Sequence, residues 1–265
     1  MAQDNGNYQC PELIDSHCHL DFPVFDNTRE SLISECAQKG IKKFIVPGVT
    51  FATWMRLKNI SNNFPSIYPA YGLHPYFINE HKLEHVDELK IFLQSNAAIA
   101  IGEIGLDYFL KDLDRQFQQT IFTAQLEVAN ELKLPVILHV RKAHDDVLLC
   151  LKQHKVVGGV VHAFNGSLQQ AARYIDLGFK LGFGGALTFD RAKHLRKLIL
   201  QLPLEAILLE TDSPDMLPAD YVDKFNTPLT ILKVLQQVSD IRNETITDVA
   251  VKTTQNCRSL FSIQD

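Results

Sequence analysis

Two histidines spaced i and i+2, His17 and His19, follow the apolar pair Leu13-Ile14 near the start of the chain. In a β-strand that spacing sends both imidazoles to one face, where two nitrogen donors can grip a divalent metal from one side. A pair alone is common on protein surfaces. Four further donor residues, Glu103, His139, His162 and Asp212, also stand at the ends of short apolar runs. One catalytic zinc commonly takes three protein ligands, so six donors point to two divalent ions with a carboxylate such as Glu103 between them. Mixed nitrogen and oxygen donors suit Zn, Mn, Co or Ni, and Mg less well because it prefers oxygen. Paired ions roughly 3.5–4 Å apart activate a water and stabilise both the attacking and the leaving oxygen. That is chemistry for hydrolysing phosphate esters, amides and related bonds.

The elements that would position these groups alternate along the chain. Strands are expected at Leu13-Ile14 leading into His17, at 43–48, 67–73, 97–101 continuing into 102–107, 135–139, 159–162, 179–184 and 206–212. Helices are expected at 28–39, 51–62, 83–94, 114–132, 145–154, 167–177, 192–201, 228–238 and 246–261. Thr28, Asp114 and Ser167 suit N-caps, and Gly40 and Gly178 suit helix stops. Eight apolar strands, each followed by a helix, fit a parallel sheet covered on its outer face and predict a (β/α)8 TIM barrel in one domain spanning 1–265. No G-x-G-x-x-G or Walker pattern supports an open doubly wound sheet instead. Reactive groups in such barrels gather at the C-terminal strand ends, so His17 and His19, Glu103, His139, His162 and Asp212 would converge on one rim.

Charge and composition narrow the function classes. A net charge of −5 argues against bulk electrostatic adhesion to nucleic acid or anionic membranes, though not against a nucleic acid gripped at one spot. No apolar run approaches a membrane span. The five cysteines form no C-x-x-C pair and read as reduced thiols of a cytoplasmic protein.

The motifs taken together resemble the TatD family of metal-dependent deoxyribonucleases, within the amidohydrolase-like barrels. They are Asp15-Ser16-His17-Cys18-His19-Leu20-Asp21, Gly72-Leu73-His74-Pro75, Gly102-Glu103-Ile104-Gly105-Leu106-Asp107, Pro135-Val136-Ile137-Leu138-His139, His162-Ala163-Phe164-Asn165-Gly166-Ser167 and Leu209-Glu210-Thr211-Asp212-Ser213-Pro214. The set spans nearly the whole chain in the family's order. The resemblance implies that His17, His19 and Asp212 hold one metal, that His139 and His162 hold the other, and that Glu103 lies between. It implies further that Asp212 is the general base and that His74 faces the scissile phosphate without being a principal ligand. No lysine stands between Ala97 and Asp107, which disfavours relatives that bridge their metals with a carboxylated lysine.

Arg141, two residues past His139, could share its strand face and contact a phosphate. Glu210, at i−2 from Asp212, could hydrogen-bond a ligand from the inward face. Cys18 should point away from its flanking histidines into packing, and Trp54 should belong to the core or to a helix face on the barrel. Gly182, Gly184 and Gly185 leave room either for substrate or for tight packing. The remaining histidines, His81, His85, His144, His154 and His194, fall in helices or loops with solvated or capping roles expected. The function expected is a two-metal hydrolase cleaving DNA phosphodiesters, exonuclease-like. An aminoacyl-tRNA deacylase or other amide or ester hydrolase is the alternative, and a non-catalytic binding barrel a third. The sequence leaves the oligomeric state open and is compatible with a monomer.

Overall fold

Runs that are apolar at every position bury both faces of a strand, and the two faces here meet different partners. The computed structural model describes residues 11–264. Its strands β1 (Leu13–Asp15), β2 (Ile41–Pro47), β3 (Ile67–Tyr71), β4 (Ala100–Asp107), β5 (Val136–Arg141), β6 (Gly159–Val161), β7 (Phe179–Phe183) and β8 (Ile207–Leu209) form one parallel sheet in chain order. At the seam, the Ser16 amide and hydroxyl both donate to the Leu209 carbonyl, which brings β8 back to β1. The helices between strands are α1 (Arg29–Gln38), α2 (Trp54–Asn63), α3 (Glu84–Ser95), α4 (Arg115–Leu132), α5 (His144–Gln153), α6 (Leu168–Asp176) and α7 (Lys193–Gln201), with α8 (Ile231–Arg242) and α9 (Ile246–Phe261) closing the chain. This is the expected (β/α)8 barrel. No helix among the described residues is long and apolar enough to cross a membrane.

The outward strand face packs under the helices. Trp54 and Leu57 of α2, Phe122 and Leu126 of α4, Tyr174 of α6 and Val234 of α8 all join that layer, each large side chain contributing about 1.5–3 kcal/mol by leaving water. The inward face holds a separate apolar floor made of Ile14, Ile45, Ala70, Ala100, Ile137, Val160 and Leu208, sealed below by Cys257, Phe261 and Ile263. Strand alternation then fixes what lies one layer up. His139, His162 and Glu210 each stand two residues beyond a floor residue, and so face the same interior.

Several boundaries differ from expectation for local reasons. Strand β4 begins three residues later than read, at Ala100, and reaches Asp107 as expected, which places Glu103 in its interior, beside a register irregularity between Ile101 and Ile104. Strand β8 stops at Leu209 because the chain turns: the Thr211 amide donates to Asp15 Oδ1, the Asp212 amide donates to the His17 carbonyl, and Asp212 adopts a left-handed φ of 55°. After β3, an unforeseen 3-10 stretch covers Pro75–Glu80. Its start at Pro75 places a fixed φ where no amide donor is needed. Asp114 and Ser167 cap their helices through their side chains as expected, whereas Thr28 occupies its N-cap without a side-chain bond. The four described cysteines are unpaired and buried, Cys18 among them; Cys10 lies outside the described residues.

Helix α4 carries two glutamines, Gln118 and Gln125, buried on its barrel side. Seven residues apart, they share a face. Gln125 accepts from the Leu73 amide and donates to the Leu73 carbonyl, and Gln118 does the same for Asp107. Each amide therefore satisfies two backbone groups that the barrel interior would otherwise leave unpaired. Gln125→Leu should lower stability by about 1–3 kcal/mol through those orphaned groups, a fall of several degrees in Tm at about 2–4 °C per kcal/mol. Thermal unfolding followed by circular dichroism measures it, and a Tm within a degree of the parent would contradict the brace.

Candidate active site

Glu103 is the centre of the site. Its carboxylate is buried and its two oxygens face different rings. Oε2 lies 3.1 Å from His17 Nε2 and 3.7 Å from His19 Nε2. Oε1 lies 3.1 Å from His74 Nε2, 3.1 Å from His139 Nδ1 and 3.6 Å from His162 Nε2. Burial works against ionisation, but His74, His17 and His162 outweigh it and hold the group well below the usual carboxylate range.

The histidine pair does not sit on a strand. His17 and His19 follow β1 in a loop whose backbone still bonds alternately to its neighbours: Cys18 donates to the Ile45 carbonyl of β2, and His19 donates to the Ser213 carbonyl beyond β8. That path still brings the two imidazoles together, with ring centroids 5.1 Å apart and edge to face. Asp212 Oδ1 completes the cluster at 3.5 Å from His17 Nε2 and 3.7 Å from His19 Nε2.

Among the described residues, donor atoms group in three overlapping sets, each within 4.8 Å: His17, His19 and Asp212; His17, Glu103 and His162; His74, Glu103 and His139. The first set coincides with the expected ligands of one metal. His139 and His162, expected together on the other, meet only through Glu103 Oε1, their rings 6.0 Å apart. Metal fits this donor set. Both ring nitrogens of His17, and Nδ1 of His19, are buried without a hydrogen-bond partner among the described residues. His17 Nε2 is near two carboxylates yet bonded to neither, as when lone pairs aim at a shared point between them. Burial, aided by His162, draws His17 down to about 3, and burial draws His19 to about 4, so both rings are neutral and their lone pairs are available.

Carboxylates stand behind the other rings. Asp107 Oδ2 is 3.1 Å from His139 Nε2, and Glu210 Oε1 is 3.2 Å from His162 Nδ1. This is the arrangement that orients metal-binding imidazoles. Glu210 takes the role expected of it and also accepts the Ala163 amide. A Cβ at Gly182 would come within 2.1 Å of Glu210 Oε2, so that glycine leaves room for the carboxylate and not for substrate. Gly184 and Gly185 pack against Met216. Burial resists charge on His162, but Asp212, Glu103 and Glu210 overcome it and push it up to about 10. Burial, with Glu103, Glu210 and Asp215 adding to it and His162 opposing, raises Asp212 to about 7. Three carboxylates round one point favour a cation there.

His74 differs from the others. Its Nδ1 accepts the Tyr76 amide at 3.0 Å, so in the neutral ring Nε2 carries the proton and donates to Glu103. No ring lone pair is left for a metal. His81, expected to be solvated or capping, is buried and lies 2.9 Å from the His74 carbonyl through Nε2, holding that turn. His144 is likewise buried, against Asn165 and Tyr174, while His85 stacks on Phe51. Trp54 packs α2 on the barrel and donates to the Gly72 carbonyl.

A pocket of about 300 Å³ opens over the cluster, lined by Phe22, Val49, Tyr76 and Phe77 as well as by Glu103, His139, His162 and Asp212. Arg141 does not line it. Sequence reasoning missed the aromatic wall, Asp107 and the glutamine braces. Asp107 carried a signal, being a carboxylate at the end of an apolar strand.

Comparison with known proteins shows the family and the fold. A family model described as TatD related DNase matches residues 14–262. The chain is 39% identical over 254 residues to the metal-dependent hydrolase YjjV of Escherichia coli K12, covering 95% of this chain and 98% of that one. It is 32% identical over 253 residues to the metal-dependent hydrolase YabD of Bacillus subtilis, covering 95% and 99%. The crystal structure of YjjV superposes with a TM-score of 0.90 at 38% identity over 95% of this chain and 98% of that one. A TatD-family hydrolase from Entamoeba histolytica shares the fold, with a TM-score of 0.85 at 22% identity and coverage of 95% and 98%.

His17→Ala should lower the bound metal content of the purified protein, and Glu103→Gln should lower it further, because one carboxylate faces every ring in the cluster. Elemental analysis per mole of protein tests both, and an unchanged metal content in Glu103→Gln would contradict the arrangement.

Proposed function

Because this chain belongs to the TatD family of metal-dependent hydrolases, we propose that it hydrolyses phosphodiester bonds of DNA from a strand end, drawing on two divalent ions. The observation that carries this reading is the division of the Glu103 carboxylate: one oxygen faces His17 and His19, the other His74, His139 and His162. A carboxylate so divided suits a bridge between two cations. Divalent ions in this basin would supply an activated water and neutralise charge on the phosphoryl oxygens.

The chain's own groups account for the remaining requirements. His17, His19 and Asp212 would hold one ion, His139 and His162 the other. Asp212 borders the open pocket with its side chain 17% exposed, so its carboxylate can take the proton of the attacking water. His74 presents an Nε2 proton, now given to Glu103, that a phosphate oxygen entering beside it can accept. Phe22, Tyr76 and Phe77 line the pocket, and aromatic rings there suit stacking against a base or sugar. The pocket volume of about 300 Å³ lies at the small end of ligand sites, which suits one terminal nucleotide better than a duplex.

Removal of metal with a chelator should abolish nucleotide release from single-stranded DNA, and Zn, Mn, Co, Ni or Mg should restore it to differing degrees. Acylated substrates such as aminoacyl-tRNA, assayed in parallel, separate the bond classes. DNA inert under every metal, with acyl cleavage present, would overturn the phosphodiesterase reading. Asp212→Ala should cost about 10²–10⁴-fold in rate, the range for a positioned general base, with an unchanged circular dichroism spectrum. Near-parental activity in that variant would remove Asp212 from the mechanism.

A further inference from the structure

Behind His139 the rim opens into a second hollow of about 480 Å³, lined by Phe109, Arg141, Lys142, His144 and Asn165 together with the turn leading into α6. Asp107 links a residue of this hollow to a residue of the metal basin. Asp107 Oδ2 faces His139 Nε2 at 3.1 Å on one side and Arg141 NH1 at 4.0 Å on the other. Asp107 Oδ1 accepts the Phe109 amide at 2.9 Å, so one carboxylate sets the position of His139 and of the hollow's aromatic residue together.

The two chambers differ in charge. Glu103, Asp212 and Asp215 line the metal basin, whereas the hollow's lining holds two cations and no acidic residue. On a chain of net charge −5, that local reversal points to an anion as occupant. The Arg141 guanidinium lies over the Phe109 ring, its Cζ 3.8 Å from the centroid, with its side chain 46% exposed. Stacking holds the fork while leaving hydrogen-bond donors free to reach a phosphate. His144 Nε2 is 3.2 Å from the Asn165 amide oxygen, which leaves the Asn165 amide nitrogen as a further donor. From His139 to Arg141 is a two-residue step along β5, about 6.6 Å at strand rise, close to one nucleotide step along a strand.

We propose that this hollow is the subsite for the nucleotide next to the scissile bond, with Arg141 and Lys142 on its phosphate and Phe109 holding the guanidinium in position. The inference rests on the reading of the chain as a DNA phosphodiesterase and adds the direction the strand takes: from the basin past His139 and Asp107, toward the loops after β5 and β6.

The test compares a single-stranded oligonucleotide with bis(p-nitrophenyl) phosphate, a diester with one phosphate that fills only the metal basin. In Arg141→Ala the ratio of kcat/KM for the oligonucleotide to that for the small diester should fall at least tenfold, mainly through KM, and Arg141→Lys should recover part of it. Phe109→Ala should shift the ratio the same way, by less. Fluorescence anisotropy of the oligonucleotide, measured over a salt series, should show the slope of log affinity against log salt shallower by about 0.7 in Arg141→Ala, one phosphate contact on single-stranded DNA. An unchanged ratio, or equal loss on both substrates, would overturn the subsite and leave Arg141 as a mere neighbour of Asp107. The parental protein is read first. If it cleaves the small diester but not the oligonucleotide, the subsite fails while diester hydrolysis stands; if it cleaves neither, the phosphodiesterase reading has failed.

Discussion

A carboxylate buried among five imidazoles is the constraint on which the upper half of this barrel depends. An unpaired buried charge is costly, and Glu103 reduces that cost by meeting rings from the loop after β1, the turn after β3, strand β5 and the turn after β6. Each ring must then keep its place to within a few tenths of an ångström. The same geometry that makes the carboxylate tolerable converges nitrogen and oxygen donors on a small volume, so the stability problem and the metal-binding arrangement have one solution.

The rings are held from behind by groups that do not face the pocket. Asp107 steadies His139, Glu210 steadies His162, and His81 holds the carbonyl of His74. Asp15 accepts the amides of both His17 and Thr211, tying the loop after β1 to that after β8. Asn226, also buried, donates to the carbonyls of Thr211 and Met216 and so fixes the turn that carries Asp212. Gln118 and Gln125 reach across from α4 to the backbone on either side of Glu103. Loss of such an outer partner typically costs about 10–100-fold in metal affinity or activity.

The barrel separates stability from chemistry along its axis. Its inward floor is apolar and closed by the end of α9, and its outer layer is mostly apolar, with Gln118 and Gln125 as bonded exceptions. The strand ends above are thereby free to carry buried polar groups, an expensive choice that the apolar layers offset. Charge is distributed to match: the basin collects carboxylates where cations belong, and Arg141 and Lys142 stand one strand step away, where an anionic chain would continue.

The sequence by itself determined the barrel, its strand–helix alternation and the six donors, because each of those is written in local pattern: apolar runs, caps, and polar residues at strand ends. It also placed Glu210, through the i−2 spacing from Asp212 and the alternation carried on from β8, and it read Cys18 as buried although that residue lies past the end of β1. Only the tertiary structure decided how the donors divide around Glu103, why His74 lacks a free lone pair, what Gly182 makes room for, and that Arg141 faces a neighbouring hollow. Those outcomes depend on register between strands and on contacts across tens to hundreds of residues, such as Glu210 with Gly182 and His162, or Gln125 with Leu73. Local spacing carries no information about which distant groups will meet, so the pattern could name the donors while the closing of the barrel arranged them.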